Sequence, residues 1–205
     1  MIAAWDDHEI FNDWDPETID PALRDAARQA LFDSLPIRRD ASAPQRLHRS
    51  FSHGRTLEIF VPDCRSERRP STRKTAAAQY LSAAQMAWLK DGLSRSTAVF
   101  KVILNAAPIT LFPDETDPAL TWGGYAAQRT EILSFIEQRA LPGVLWISGD
   151  YHFPCIGRAS RTGIGSTALE ALTGCASPPE AQEESGRAQL GGGGPPPGVR
   201  TRGPW

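Results

Sequence analysis

Four short apolar runs punctuate this chain, at residues 2–5, 57–61, 99–104 and 144–148, and each is continuous rather than alternating. Runs of this kind suit strands covered on both faces. Helical stretches lie between some of them. Asp20-Pro21 supplies an N-cap and a first-turn proline for a helix reaching about residue 35. Ser82-Ala83-Ala84-Gln85 is a capping-box pattern. Leu81 and Met86 stand where a hydrophobic staple would, and Met86, Leu89 and Leu93 form a buried stripe. A third helix is predicted over 125–139, with Ile132, Leu133 and Ile136 inward. Strands alternating with helices predict an α/β layered domain. The stretch 65–74 reads as a charged loop, and Trp122-Gly123-Gly124-Tyr125 as a packing corner.

The residues just past each apolar run are more telling than the run itself. The first run ends in Asp6-Asp7-His8-Glu9, the second in Asp63-Cys64-Arg65, the third in Asn105 and the fourth in Gly149-Asp150-Tyr151-His152. In open α/β sheets, ligands bind at the carboxyl ends of the strands. Carboxylates gathered at one such rim repel one another, and a bound cation is the simplest relief. Asp7, Asn12, Asp150 and His152 make a mixed oxygen and nitrogen donor set suited to hard divalent ions, manganese, iron or zinc. His8, between two acids, is a candidate proton donor to a leaving oxygen; the plainer reading is a cap on the segment after it. Arg38, Arg65 and Arg68 are candidates for gripping a phosphate. Asp63 is alternatively a salt-bridge partner of Arg65.

Composition excludes several classes. A net charge of −2 over 205 residues points to neither nucleic acid nor an anionic membrane. No apolar run has the length of a membrane span. Three widely spaced cysteines form neither a disulfide framework nor a zinc motif, so Cys64 and Cys155 read as buried fillers. The first residues read as strand and then acids, so no export signal is expected. Residues 178–205 carry a Gly run and a Pro run and read as a disordered tail behind a domain at 1–177.

The blocks "WDDHEIFND", "IFVPDCRSERR", "QMAWLKDGLSRSTAVFKVILNAAPI", "WGGYAAQRTEILSFI" and "LWISGDYHF" together resemble the PhoD-like alkaline phosphatase family, a branch of the metallophosphatases, from residue 1 to about 165. The resemblance implies a partial calcineurin-like α/β sandwich: two sheets flanked by helices, with metals at the strand ends. It implies hydrolysis of phosphomonoesters, often diesters, with calcium and iron. Carried over by position, Asp7, Asp150 and His152 are metal ligands and His8 the proton-donating histidine. Asn12 is a weaker ligand candidate. The choice among Asp6, Asp7 and Asn12 stays open, and Arg65 is either phosphate-binding or structural.

Departures from the pattern carry expectations too. Family members have earlier motifs that supply a bridging aspartate, a cysteine and a tyrosine, and no residue here takes those places. A shortened or frame-shifted gene is expected, with open strand edges, an uncovered apolar face and a tendency to associate. A two-metal clamp is then hard to build, and weak or absent turnover is the expected result. The alternative is a non-catalytic remnant or binding module that keeps the scaffold and one cation site. The substrate would be a small phosphoester. Family members are commonly exported, but location and oligomeric state are left open by this chain.

Overall fold

Three parallel strands, β2 (Leu57–Val61), β3 (Phe100–Asn105) and β4 (Val144–Ser148), lie side by side in chain order. The computed structural model describes residues 2–112, 120–152 and 154–174. Helix α2 (Ala83–Arg95) connects β2 to β3, and α3 (Ala126–Gln138) connects β3 to β4. Two right-handed crossovers stepping the same way put both helices on one face of the sheet. There Lys90 of α2 reaches Glu131 of α3 at 2.5 Å. Three further strands complete a six-stranded sheet in the order β1-β2-β3-β4-β6-β5: β1 (Arg49–His53), β5 (Cys155–Arg158) and β6 (Leu169–Leu172). β6 is parallel to β4, while the edge strands β1 and β5 are antiparallel to their neighbours.

Local signals hold where they rest on neighbouring residues. Helix α1 (Pro21–Ser34) starts at Asp20, whose carboxylate accepts from Ala22 N at 2.8 Å. Ser82 caps α2 by accepting from Gln85 N. The reciprocal half of that capping box is not made. Instead, the Gln85 side chain accepts from Asp63 N at 2.6 Å and donates to Asp63 O and Glu67, tying α2 to the end of β2. Met86, Leu89 and Leu93 of α2 and Ile132, Leu133 and Ile136 of α3 are buried against Phe60, Ile103 and Trp146, which the register aligns across three strands. Trp122 and Tyr125 join this core, as the corner reading expects. Burying a large apolar side chain stabilises by about 1.5–3 kcal/mol, so this one-sided cluster dominates the fold.

Elsewhere the sequence reading is corrected. Residues 2–5 form no strand, because nothing among the described residues pairs with them. Their contacts are different: Trp5 packs with Trp14, and the Ala3 carbonyl accepts from Arg49. A strand is a pairing rather than a composition. In the other direction, β1, β5 and β6 carry no clear strand signal in the sequence. β1 is polar and exposed, and β6 reads Leu-Glu-Ala-Leu, which favours helix in isolation. Insertion beside β4 makes β6 a strand. The fold is thus mixed α/β, a six-stranded sheet flanked by helices, but one sheet is present among the described residues where the resemblance implies two. The tail at 178–205 and Cys175 lie outside the described residues.

On the face away from α2 and α3, the register aligns Phe51, Ile59, Val102, Leu145 and Leu169 in one row. Leu104, Ile147, Ala171 and Ile156 make the next. Most of these side chains are exposed or half-buried.

β6 is locked in place by Glu170, which is fully buried. Its carboxylate accepts from Ile109 N at 3.0 Å, Thr110 N at 2.8 Å and the Ser148 hydroxyl. Glu170→Ala strands three donors, those of Ile109 and Ser148 buried and that of Thr110 partly so, and we expect a loss of about 3 kcal/mol in urea unfolding. An unchanged midpoint would show that this carboxylate does not hold the sheet edge.

Candidate metal centre

The acidic block that opens the chain is a compact loop pinned at both ends by tryptophans. Trp5 and Trp14 are buried and meet edge to face, ring centroids 6.0 Å apart. Such a pair contributes about 0.5–1.5 kcal/mol beyond burial. Trp14 also donates its indole N–H to Asp6 O at 3.1 Å. Between them the backbone turns so that Ile10 N reaches Asp7 O at 2.8 Å. Asp7 is the hub of the loop: one carboxylate oxygen accepts from His8 N at 2.7 Å, the other from Asp13 N at 2.9 Å.

The second contribution comes from the tight turn after β4. Gly149 N donates to Ala106 O at the end of β3, and Thr173 N, just past β6, donates to Ser148 O. The turn therefore sits over the carboxyl ends of three adjacent parallel strands. Asp150 and His152 both adopt positive φ, +69° and +53°, as does Asp13 at +57°. Such conformations cost non-glycine residues of order 1–3 kcal/mol and cluster at functional sites. Between them, Tyr151 stacks on Phe112 at 4.9 Å and holds the turn down.

Together the two segments line one cavity with Asp6, Asp7, His8, Glu9, Asp150 and His152 on its wall. Ligand oxygens of Asp6, Asp7 and Asp150 all lie within 4.8 Å of one another. At that distance two carboxylates repel by roughly 3 kcal/mol at an effective dielectric near 20. Arg65 offsets part of this. Its guanidinium, 1% exposed, donates to one Asp6 oxygen through Nε at 3.0 Å and Nη2 at 2.8 Å, and stands 3.6 Å from Asp7. The balance shows in the acidities. Burial raises Asp6 despite Arg65. Burial also acts to raise Asp7, but the bond from Asp13 and the charge of Arg65 outweigh it and hold it low. Asp150 is pushed up to about 7, first by burial and then by the charges of Asp6 and Asp7. Three acids share one guanidinium, and the missing positive charge is what a hard cation would supply.

The structure brings together Asp7, His8, Asp150 and His152, the group expected from the sequence, and adds Asp6, the carboxylate left undecided there. Asn12 does not join them. It is exposed and donates to Asp13 at 2.7 Å. Arg38 is exposed beyond the end of α1 and is not among the residues lining the cavity. Arg65 is buried beneath the acids, with Nη2 and Nε both spent on Asp6. Arg68, also buried, donates to Leu120 O and Trp14 O, so this stretch is not the hydrated loop its charge density predicts. Asp63 makes no ion pair with Arg65; it caps its own turn by accepting from Arg65 N and Ser66 N. Cys64 is buried, with its thiol donating to the side-chain Oδ1 of Asn105, and burial pushes the thiol's pKa well up.

A family model described as PhoD-like phosphatase matches residues 1–190, beyond residue 165 where the motif resemblance fades. Alkaline phosphatase D of Bacillus subtilis (strain 168) is 28% identical over 179 residues, covering 74% of this chain and 30% of that protein. A solved structure described as "Structure of PhoD" matches with a TM-score of 0.70 at 23% identity, over 83% of this chain and 39% of that one. The chain thus spans well under half the length of these relatives.

Two outcomes are expected for the metal-free chain. Arg65→Gln leaves buried acids uncompensated and should cost about 3–5 kcal/mol in urea unfolding. Much of that loss should return in the Arg65→Gln, Asp6→Asn double variant, and a purely additive cycle would deny the pairing. Asp150 titrates higher folded than its ordinary value of 3.8, so the unfolded chain releases that proton first. Its stabilising contribution is complete below 3.8 and is lost as pH rises to about 7. Thermal melts of Asp150→Asn against wild type should show a shallower decline across that window; parallel curves would contradict the assignment.

Proposed function

The chain belongs to the PhoD-like phosphatase family, and from that premise we propose that it hydrolyses small phosphate esters with a cation held by Asp6, Asp7 and Asp150. The approach of these three carboxylates to within 4.8 Å supports the reading most directly. The residues fit such an ion: hard oxygen donors, a net negative charge that Arg65 only partly offsets, and an imidazole, His152, on the same cavity wall. Calcium with iron is the combination the family resemblance implies. When bound, a cation there supplies charge neutralisation for phosphoryl oxygens and acidifies a water.

The chain's own groups divide the remaining work. Asp6 is held from below by Arg65 and Asp7 by the backbone N–H groups of His8 and Asp13, which keeps both on the cavity wall. Asp150 arrives from the opposite wall on its positive-φ turn. His8 is exposed at the cavity mouth, its position set by its backbone bond to Asp7. In this reading its imidazolium gives a proton to the ester oxygen as the bond to phosphorus breaks.

Turnover is proposed to be slow. Among the described residues the acidic cluster amounts to ligands for one ion, whereas a two-metal clamp steadies both the attacking and the leaving oxygen. A second reading, a cation-binding module without turnover, draws support from the arginines: none lines the cavity, since Arg65 lies under the acids and Arg38 is remote.

Elemental analysis and p-nitrophenyl phosphate hydrolysis, with calcium and iron supplied, separate the two. Stoichiometric cation that disappears in Asp150→Ala is expected, with turnover lowered about 100-fold or more in His8→Ala while the cation stays. Turnover indifferent to His8→Ala would remove His8 from the chemistry. Bound cation without any turnover would favour the binding module, and a chain that takes up no cation would reject both.

A further inference from the structure

Asp150 and His152 reach the cavity on a turn with an unfavourable backbone, both residues standing at positive φ. Such a turn keeps one shape only where its surroundings over-determine it. Its supports come from three segments that meet there. Ser148, at the end of β4, leads into the turn, and its carbonyl accepts from Thr173 N at 2.8 Å and from the Thr173 hydroxyl at 3.2 Å. Ala106, just past β3, accepts from Gly149 N at 3.0 Å. Phe112, farther along the same loop, stacks on Tyr151, the residue between Asp150 and His152.

One side chain ties these segments together. Glu170 of β6 is fully buried and is not among the residues lining the cavity. One of its carboxylate oxygens accepts from the Ser148 hydroxyl and from Ile109 N; the other accepts from Thr110 N. Arg129 of α3 grips Ile109 from its other end, with Nε donating to Ile109 O at 2.7 Å, and its charge interacts with that of Glu170. Glu170 therefore sets the entry to the turn through Ser148 and the stacked side of the turn through the loop that carries Phe112. Thr173, just past the same strand, lines the cavity itself.

We propose that Glu170 is a positioning residue for the cation site: it holds the turn of Asp150 and His152 against Asp6 and Asp7 without touching the ion. This rests on the reading of that cavity as a cation site, and on contacts made between described residues alone. Its physical basis is the number of acceptors. An ionised carboxylate accepts on both oxygens, whereas an amide of the same shape accepts on one side and donates on the other. Glu170→Gln therefore points a donor either at Thr110 N or at the Ser148 and Ile109 pair, and one arm of the clamp opens. Outer groups that orient metal ligands are worth roughly 10–100-fold in metal affinity.

Titration calorimetry of the full chain with calcium, and separately with manganese, tests it. Far-UV circular dichroism first establishes that each variant is folded at the titration temperature. The wild type is expected to bind, and Glu170→Gln to bind about tenfold more weakly or worse. Ser148→Ala cuts only the link to β4 and should weaken binding in the same direction; it carries the test alone if Glu170→Gln does not fold. Leu89→Ala, in the buried core of α2, destabilises the chain away from the site and should leave the affinity of the folded molecule unchanged. In the metal-free chain, hydrogen exchange at the Gly149 and Thr173 amides should be faster in Glu170→Gln than in wild type. A wild type that binds with Glu170→Gln and Ser148→Ala unaltered would overturn the positioning role and leave the cation site standing. An equal loss in Leu89→Ala would overturn it too, by showing that any destabilisation suffices. A wild type that takes up neither ion would overturn both the proposal and the reading beneath it.

Discussion

A single guanidinium buried beneath the acidic rim is the constraint on which the candidate site depends. Arg65 touches Asp6 and Asp7, and without it the loop from Trp5 to Trp14 would carry two uncompensated charges into the protein. Desolvating an arginine is costly, and the two charge-assisted hydrogen bonds from Nε and Nη2 to one Asp6 oxygen offset part of that cost. The pair acts structurally and electrostatically at once. It joins the start of the chain to the end of β2; burial and the charges of Asp6 and Asp7 push Asp150 up to about 7 despite it.

The turn carrying Asp150 and His152 shows the same economy of means. Its left-handed residues are unfavourable in isolation, and the surroundings hold them: Gly149 N on Ala106 O, Tyr151 stacked on Phe112, Thr173 N on Ser148 O. Glu170 fixes the platform below by tying Ser148 to the loop after β3. Strain and like-charge repulsion are thus concentrated at the strand ends, while the stabilising burial lies on the helix side of the sheet. Stability and function occupy different parts of the same layer.

The two faces of the sheet are enclosed unequally. Phe60, Ile103 and Trp146 point toward α2 and α3 and are fully enclosed; of their sequence neighbours on the other face, Val102 is buried while Ile59 and Leu145 are half-buried. Continuous apolar strands signal two-sided burial, and among the described residues the helix side is the better covered.

From the sequence alone, the layered α/β class, the positions of α1, α2 and α3, three of the six strands and the gathering of acids at strand ends were legible. Each rests on interactions within a few residues: Asp20 capping Ala22, Ser82 capping Gln85, apolar side chains at helical spacing. His8, Asp150 and His152 stood out by their place after the apolar runs, and the family likeness gave each a role. Tertiary structure alone decided that Asp6 joins the cluster while Asn12 and Arg38 do not, that Arg65 and Arg68 are buried, that residues 2–5 pair with nothing described, and that Leu169–Leu172 is a strand. These outcomes depend on partners far along the chain: Asp6 and Arg65 are 59 residues apart, and β6 is a strand because β4 and β5 flank it. Periodicity and capping are local and can be read in order; burial of a charge and the pairing of a strand are set by what arrives from elsewhere.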